Sequence, residues 1–245
     1  MHLPVGSAVT LDDPRLTVAR RDLIRRHSYL QLVYEDWYAL ITSHLPTGEG
    51  PVLELGSGGG FFETVCPRVL TSDVMRLPSV DVVLDARALP FAAGSLRSIV
   101  GTNVLHHVPD IELFLTEAVR VLKPGGRLIF IEPWVTGLSR VVYRHFHHEP
   151  FEPGLGWDIV GTGPLTGANG ALPWIVFDRD RRLFEHRFPQ LRIRDIRPLM
   201  PLSYLLCGGI GRAWNLPGVL FRICRRLERP FDEAGIFAGI VVEAI

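Results

Sequence analysis

The segment LELGSGGGFF, residues 53–62, places closely spaced glycines and one carboxylate in and directly after a short apolar run. A strand, a tight glycine turn and a helix form a common cradle for nucleotide-like cofactors, because glycine allows the backbone to approach a ligand closely. A dinucleotide-binding turn requires G-x-G-x-x-G, and here Gly56 and Gly58 fit while Phe61 occupies the third position. The fingerprint of a redox cofactor is therefore incomplete.

The same segment spells E-x-G-x-G-x-G from Glu54 to Gly60, which resembles the first motif of class I S-adenosylmethionine-dependent methyltransferases. Further matches follow in order over roughly residues 50–133: DARALPF, NVLHHVPD and AVRVLKPGGRLIFIEP. The last two are similar to the small-molecule, type 11-like branch of that family. The resemblance implies S-adenosylmethionine as the cofactor and a small molecule as the methyl acceptor.

The resemblance also assigns roles to individual residues. It implies that Asp73 accepts hydrogen bonds from the cofactor ribose, that Asp85 accepts from the adenine amino group, and that the Ala86 amide meets the ring. S-adenosylmethionine has no phosphate, so the glycines would admit its methionine portion and Glu54 could face its ammonium group, directly or through water. Asn103 is either a backbone contact to the cofactor or an ordinary turn residue. The predicted cofactor-binding residues are Glu54, Gly56, Ser57, Gly58, Asp73, Val74, Asp85, Ala86 and Asn103.

Histidines form the second group of chemically capable residues. His106 and His107 belong to the recurrent LHHV pattern, for which a scaffold role is favoured over a base or a metal ligand. The segment YRHFHHEP adds four polar groups that could form a polar lid face, an acceptor-site base or a metal site: His145, His147, His148 and Glu149. We predict no metal site and assign no catalytic residue, with His147 and His148 as the candidates for a base.

Alternating strands and helices must position these residues. Apolar runs alternate with helical patterns from Pro51 onward, which predicts parallel βαβ units in an α/β, doubly wound sheet. The resemblance implies seven strands, mostly parallel, with the last strand antiparallel. We interpret residues 1–245 as a single methyltransferase domain in four parts: a helical lead-in (14–45), a cofactor-binding half (50–133), an acceptor-recognition insert (134–175), and C-terminal helices and closing strands (176–245).

Composition restricts the partners. The chain has 245 residues with 26 basic and 26 acidic side chains, so no net field attracts nucleic acid or an anionic membrane. Three widely separated cysteines, Cys66, Cys207 and Cys224, do not form a zinc or disulfide pattern and are interpreted as reduced thiols of a cytoplasmic protein. No apolar run reaches the length of a membrane span.

The acceptor is the least determined part of the prediction. Apolar and aromatic residues in the 134–175 insert favour a small molecule, with O-methylation of a sugar, a lipid-linked or a phenolic or quinone-type hydroxyl as the expected reaction. Two alternatives remain open: a catalytically silent protein that keeps the fold for binding, and a nicotinamide-dependent oxidoreductase. The oligomeric state is not predicted.

A basic amphipathic segment lies near the carboxyl terminus, at residues 213–230. With Asn215 as N-cap, Leu216, Leu220, Ile223 and Leu227 fall on one stripe of a helix, while Arg222, Arg225, Arg226 and Arg229 gather on another. A helix packed on the sheet with a solvated basic face is the favoured interpretation. The alternative is a peripheral contact with the inner face of the membrane.

Overall fold

The computed structural model describes residues 10–147, 149–209, 214 and 216–245. Seven strands form one sheet: β1 (Val52–Leu55), β2 (Val69–Asp73), β3 (Val82–Val83), β4 (Leu96–Thr102), β5 (Leu122–Pro133), β6 (Leu191–Leu199) and β7 (Phe237–Ala244). Their order is β3-β2-β1-β4-β5-β7-β6. The pairs among β1 to β5 are parallel, whereas β7 is antiparallel to both β5 and β6. The predicted α/β sheet with an antiparallel last strand is confirmed.

Helices cover both faces of the sheet. They are α1 (Pro14–Arg26), α2 (Ser28–Ser43), α3 (Ile111–Val121), α4 (Gly137–Phe146), α5 (Leu172–Trp174), α6 (Arg181–Arg187), α7 (Ser203–Leu206) and α8 (Gly218–Glu228). Three 3₁₀ turns (Phe62–Thr64, Leu105–His107 and Arg229–Ala234) and a π-helical segment (Ile175–Arg179) complete the described elements. None of the helices in the described part of the chain is long and apolar enough to cross a membrane.

Side-chain alternation along β5 explains the two-sided core. Leu128 and Phe130 pack in one hydrophobic cluster with the α3 side chains, while Ile129 and Ile131 pack in a second cluster with those of α2. Successive residues of a strand point to opposite faces, so a central strand covered on both faces reads as a continuous apolar run. This is why the GGRLIFIEP segment has no polar alternation.

The helical lead-in consists of two helices. Residues 14–45 contain two helices, α1 and α2, because His27 between them has an extended backbone with φ −104° and ψ 101°. Asp13 caps the first helix by accepting a hydrogen bond from the Arg15 amide at 2.8 Å. Tyr38 of α2 then reaches the glycine turn, where its hydroxyl accepts a hydrogen bond from the Phe61 amide at 2.9 Å. The lead-in therefore covers the end of the sheet that carries the predicted cofactor motif.

The basic C-terminal helix packs on an unexpected face. In α8 the side chains of Phe221, Arg225 and Glu228 point toward the protein, and Arg225 forms ion pairs with Asp36 and Asp232 at 3.0 and 2.8 Å. Leu220, Ile223 and Leu227, predicted to pack inward, are 43, 52 and 68% exposed. The interpretation of a packed apolar stripe is therefore wrong, and Arg225 does not belong to a solvated basic face. The predicted N-cap, Asn215, lies outside the described residues, and the helix begins after Pro217.

Candidate active site

A large cavity of about 1150 Å³ opens at the carboxyl ends of β1, β2 and β4. These strands flank the switch point of the sheet, where open α/β folds bind their ligands. Eight of the nine predicted cofactor-binding residues line this cavity: Gly56, Ser57, Gly58, Asp73, Val74, Asp85, Ala86 and Asn103. The structure thus brings together residues from four separate segments of the sequence.

The glycine turn after β1 is shaped by two constraints at Gly56. Its φ of +61° lies in the left-handed region, and a Cβ atom placed there would lie 2.6 Å from Cγ2 of Val104. No other residue type satisfies both constraints without strain. Gly58 also has a positive φ, 36°. The turn therefore presents backbone without Cβ atoms to the cavity at Gly56 and Gly58.

Asp73 ends β2 and is almost completely buried at the cavity wall. Its Oδ1 accepts a hydrogen bond from the Met75 amide at 2.9 Å, and its Oδ2 accepts one from the Gly58 amide at 3.2 Å. Burial raises the pKa of this carboxyl, and the hydrogen bonds from the backbone amides oppose the shift. A carboxylate has further lone pairs. Asp73 is consequently held in one orientation and can still accept from a ligand hydroxyl.

Asp85 and Asn103 reach the same cavity from the loops after β3 and β4. Asp85 accepts hydrogen bonds from the Arg87 guanidinium, with Nη2 at 2.6 Å, and this interaction lowers the pKa of the carboxyl. Asn103 has a left-handed φ of 54°, a conformation that asparagine tolerates, and its amide donates to the Ile131 carbonyl at 2.8 Å. Asn103 thus lines the cavity with its backbone in a left-handed conformation.

Glu54 is the predicted residue that does not line the cavity. It is buried on β1, and its Oε2 accepts a 2.6 Å hydrogen bond from the Ser57 hydroxyl, which is itself part of the cavity wall. Burial raises the pKa of Glu54 to about 7, although the Ser57 hydrogen bond opposes this shift. Glu54 therefore lies one layer behind the wall and can affect a ligand only through Ser57 or by its charge.

Two histidines and a carboxylate, His106, His107 and Glu149, also line the cavity. His106 Nδ1 lies 2.7 Å from Glu132 Oε2, and His106 Nε2 lies 3.5 Å from Glu149 Oε2. Burial lowers the pKa of His106, but the hydrogen bonds to these two carboxylates outweigh burial and raise it to about 9. Burial and the neighbouring His106 charge lower the pKa of His107 to about 4. His106 and His107, interpreted from the sequence as scaffold, are therefore also cavity residues.

The predicted base candidates have different outcomes. His147 lines the cavity, and its Nδ1 accepts a hydrogen bond from the Glu149 amide at 3.2 Å. A neutral ring that accepts at Nδ1 carries its proton on Nε2. The role of His147 as a base stays a prediction. His148 lies outside the described residues. His107 has the opposite arrangement, because its Nδ1 donates to the Gly167 carbonyl at 2.9 Å and its Nε2 retains a lone pair.

Aromatic side chains form the remaining wall of the cavity. Tyr143 of α4 stacks on Phe151 with ring centroids 4.3 Å apart, and Tyr204 packs edge-on against Phe237 at 4.8 Å. Phe146 and Trp214 also line the cavity and are 80 and 60% exposed. The lining of the cavity thus combines the glycine turn and the acids with aromatic surface.

These residues fit the cofactor implied by the sequence. The glycine turn has no side chains that would fill the space beside its backbone. Asp73, at the end of β2, can accept further hydrogen bonds, and the small side chain of Ala86 lines the cavity in the loop after β3. A cofactor with a hydroxyl-bearing sugar and a cationic end matches the acceptors and the negative charge on this side of the cavity.

Comparison with known proteins gives a family match over about a third of the chain and a likeness of fold. Residues 53–130 match a family described as "Methyltransferase domain". Lovastatin diketide synthase lovF of Aspergillus terreus is 36% identical over 74 residues, which are 30% of this chain and 3% of that synthase. The chain matches less than a fifth of the length of each of the eight curated relatives compared.

Solved structures resemble the chain over nearly its whole length. One is a chain of the complex between the Trm112 methyltransferase activator and a methyltransferase of Haloferax volcanii, with a TM-score of 0.55, 14% identity, and coverage of 97% of this chain and 99% of that one. A second is geranyl diphosphate C-methyltransferase of Streptomyces coelicolor A3(2), in complex with Mg²⁺, geranyl diphosphate and S-adenosyl-L-homocysteine. Its TM-score is 0.52 and its identity 13%, and the match covers 98% of this chain and 87% of that one. At these identities the likeness shows the fold. Together with the family match, it confirms the resemblance predicted from the sequence.

Proposed function

We propose that this chain, which is a class I S-adenosylmethionine-dependent methyltransferase by family and fold, transfers the methyl group of its cofactor to a small-molecule acceptor. S-adenosylmethionine is the cofactor. The observation that carries the proposal is the convergence of the glycine turn, Asp73, Asp85 and Asn103 on one cavity at the switch point of the sheet.

In this proposal each end of the cofactor has its own contacts. The turn from Gly56 to Gly58 holds the methionine portion, and Asp73 accepts hydrogen bonds from the ribose, beside the backbone of Val74. Asp85 accepts from the adenine amino group, which competes with its present interaction with Arg87. Ala86 contacts the adenine ring. Glu54 contributes negative charge behind Ser57, toward the cofactor ammonium.

Methyl transfer requires little further machinery from the protein. The bound cofactor supplies a sulfonium group, an activated methyl donor. The protein supplies position: an acceptor oxygen held in line with the methyl group reacts as if at very high concentration. The walls formed by Tyr143, Tyr204 and Phe237 would hold the acceptor and exclude water from it.

The aromatic walls support an acceptor with apolar surface and a reactive hydroxyl, methylated at oxygen. A lipid-linked saccharide and a phenolic or quinone-type compound both have these properties, and a sugar presents a similar apolar face. The insert at residues 134–175 would provide acceptor recognition, since it contributes Tyr143, His147 and Glu149 to the cavity.

We further infer a peripheral contact with the inner face of the cytoplasmic membrane through residues 213–230, at the exposed face of α8. Leu220, Ile223 and Leu227 are exposed there, and Arg222 and Arg226 are exposed on the same helix. Exposed apolar side chains beside arginines are typical of helices that lie in a membrane interface. The exposed rings of Phe146 and Trp214 at the cavity give an amphiphilic acceptor an apolar entrance.

Calorimetry tests the cofactor assignment. S-adenosylmethionine and S-adenosylhomocysteine should bind and NAD should not. Asp73→Ala should weaken S-adenosylhomocysteine binding by about 1 to 3 kcal/mol because the ribose loses its acceptor. Asp195→Ala is the matched control, since Asp195 lies on β6 outside the cavity.

Two outcomes would contradict the proposal: tight NAD binding without heat from the methionine cofactors, or equal effects of the two substitutions. The acceptor is found by mass spectrometry of cell extracts incubated with the protein and labelled S-adenosylmethionine. A protein that binds the cofactor and labels nothing would instead be the catalytically silent alternative.

A further inference from the structure

Three side chains from two separate segments direct potential ligand atoms at one point of the cavity. His106 and His107 come from the turn after β4, and Glu149 comes from the insert. The ligand atoms of all three residues lie within 4.8 Å of one another. Glu149 Oε2 is 3.5 Å from His106 Nε2, and Glu149 Oε1 is 3.9 Å from His107 Nε2.

A hydrogen bond at Nδ1 fixes the orientation of each imidazole ring. His106 Nδ1 is hydrogen-bonded to Glu132 Oε2 at 2.7 Å, and Glu132 Oε1 in turn accepts from the Val104 and Leu105 amides at 2.8 Å each. His107 Nδ1 is hydrogen-bonded to the Gly167 carbonyl, which can only accept. An Nδ1–H bond to a carboxylate or a carbonyl, with Nε2 directed at the ion, is the usual arrangement of metal-binding histidines.

We propose that His106, His107 and Glu149 bind one divalent transition-metal ion. Imidazole and carboxylate ligands suit zinc, cobalt, iron and manganese, and two histidines with one carboxylate leave a coordination position open. Ligand atoms about 2.0 to 2.2 Å from a tetrahedral ion lie roughly 3.4 Å apart. The distances of 3.5 and 3.9 Å end on different oxygens of Glu149, and one ligand atom from each residue lies within 4.8 Å of the others. The three side chains would therefore move together by up to about 1.4 Å to reach the tetrahedral spacing of roughly 3.4 Å.

This set differs from the cluster that the sequence indicates. The segment YRHFHHEP suggested His145, His147, His148 and Glu149, for which a metal was not favoured. Of the members of that group that the structure describes, His145, His147 and Glu149, only Glu149 combines with the histidine pair after β4. Of the other two described histidines, His145 is exposed on α4, and His147 lies with Nδ1 3.9 Å from Glu149 Oε2.

The position of the ion suggests its role, which rests on the proposed function. The three residues line the same cavity as the predicted cofactor-binding residue Asn103 and the aromatic residue Tyr143. A metal ion at an open site lowers the pKa of a coordinated hydroxyl group. The acceptor hydroxyl would release its proton to water, its oxygen would bond to the methyl carbon, and the carbon–sulfur bond would break with its electron pair remaining on sulfur.

Metal binding itself tests the inference, without cofactor or acceptor. Zn²⁺ should titrate into the metal-free protein with one equivalent per chain, and Co²⁺ should give visible absorption bands that Zn²⁺ abolishes. Glu149→Gln and His107→Ala should each weaken binding by at least about tenfold. His186→Ala is the matched control, because His186 is exposed on α6 and away from the cavity.

Circular dichroism and thermal unfolding show whether each variant is folded. Glu149→Gln keeps the size of the side chain, so it remains informative if His107→Ala does not fold. Absence of saturable Zn²⁺ or Co²⁺ binding to the folded wild-type protein would overturn the inference, and so would unchanged binding by Glu149→Gln. Normal binding of S-adenosylhomocysteine in the same preparation would leave the proposed function intact.

Discussion

At the residue scale, Glu54 connects the charge of the cofactor to the stability of the protein. It lies behind Ser57, shares a hydrogen bond with that hydroxyl, and has a pKa of about 7 because it is buried. A cationic group on the cavity side of Ser57 would favour the charged form of Glu54 and lower this pKa. In the proposed binding mode, the cofactor ammonium would therefore favour ionisation of this carboxyl.

The first prediction concerns the stability of the cofactor-free protein. Because the pKa of Glu54 is raised from 4.5 to about 7 on folding, its stabilising contribution is present below pH 4.5 and is lost as the pH rises through 7. Glu54→Gln keeps the acceptor for Ser57 but cannot ionise. Between pH 5 and pH 8 the wild type should lose on the order of 3 kcal/mol more unfolding free energy than this variant.

Urea unfolding of both proteins at several pH values provides the measurement. Other groups titrate in the same interval, so the quantity to compare is the difference between the two curves. Parallel curves would show that Glu54 is already ionised in the folded protein and that burial does not dominate its pKa.

At the element scale, the convergence of the predicted cofactor-binding residues on one cavity follows from strand order. Asp73, Asp85 and Asn103 could be predicted because each ends a strand or follows one closely, and the carboxyl ends of parallel strands meet at one edge. Glu54 could be assigned to β1, but its depth behind Ser57 depends on the packing of the glycine turn.

Other features could not be predicted because they depend on long-range contacts. Glu149 belongs to an irregular insert, so its approach to His106 and His107 is absent from any local pattern. The orientation of α8 depends on Arg225, which pairs with Asp36 of α2. Amphipathicity predicts that apolar side chains point inward, but here Arg225, in a partly buried ion pair, lies on the packed face of the helix and Ile223 is exposed.

The second prediction belongs to the glycine turn after β1. Gly56→Ala should destabilise the protein by at least about 1 to 2 kcal/mol, the cost of a left-handed alanine. It should also weaken cofactor binding, because Cβ would lie 2.6 Å from Val104 Cγ2 and the turn would shift. Thermal unfolding and calorimetry with S-adenosylhomocysteine measure the two effects.

Gly59→Ala is the control within the same turn. A Cβ atom at Gly59 would have its nearest neighbour at 3.4 Å, the Arg21 backbone nitrogen, which is ordinary van der Waals contact, and its φ is not positive. This variant should remain close to the wild type in both measurements. Equal tolerance of alanine at positions 56 and 59 would contradict the geometry described for the turn.

At the scale of the whole molecule, membrane attraction has to come from a local surface. The 26 basic and 26 acidic side chains cancel, so the total charge does not attract an anionic bilayer. On α8, however, Arg225 is neutralised by its ion pairs while Arg222 and Arg226 are exposed beside Leu220 and Ile223. Exposed charge and exposed apolar surface thus lie on neighbouring stripes of one helix.

The last prediction is that the protein sediments with anionic vesicles and not with neutral ones. Arginines near an anionic surface contribute about 1 kcal/mol each. The double reversal Arg222→Glu and Arg226→Glu should therefore lower vesicle affinity by more than tenfold, and 0.5 M salt, roughly three times the physiological ionic strength, should weaken binding of the wild type. The control reverses two exposed arginines elsewhere, Arg182 and Arg192, with the same change in net charge. If the control still binds anionic vesicles and the α8 variant does not, the binding depends on the surface of α8 and not on the net charge of the protein. Equal, negligible sedimentation of the wild type with both vesicle types at low salt would exclude the membrane contact and leave the exposed stripe of α8 without this role.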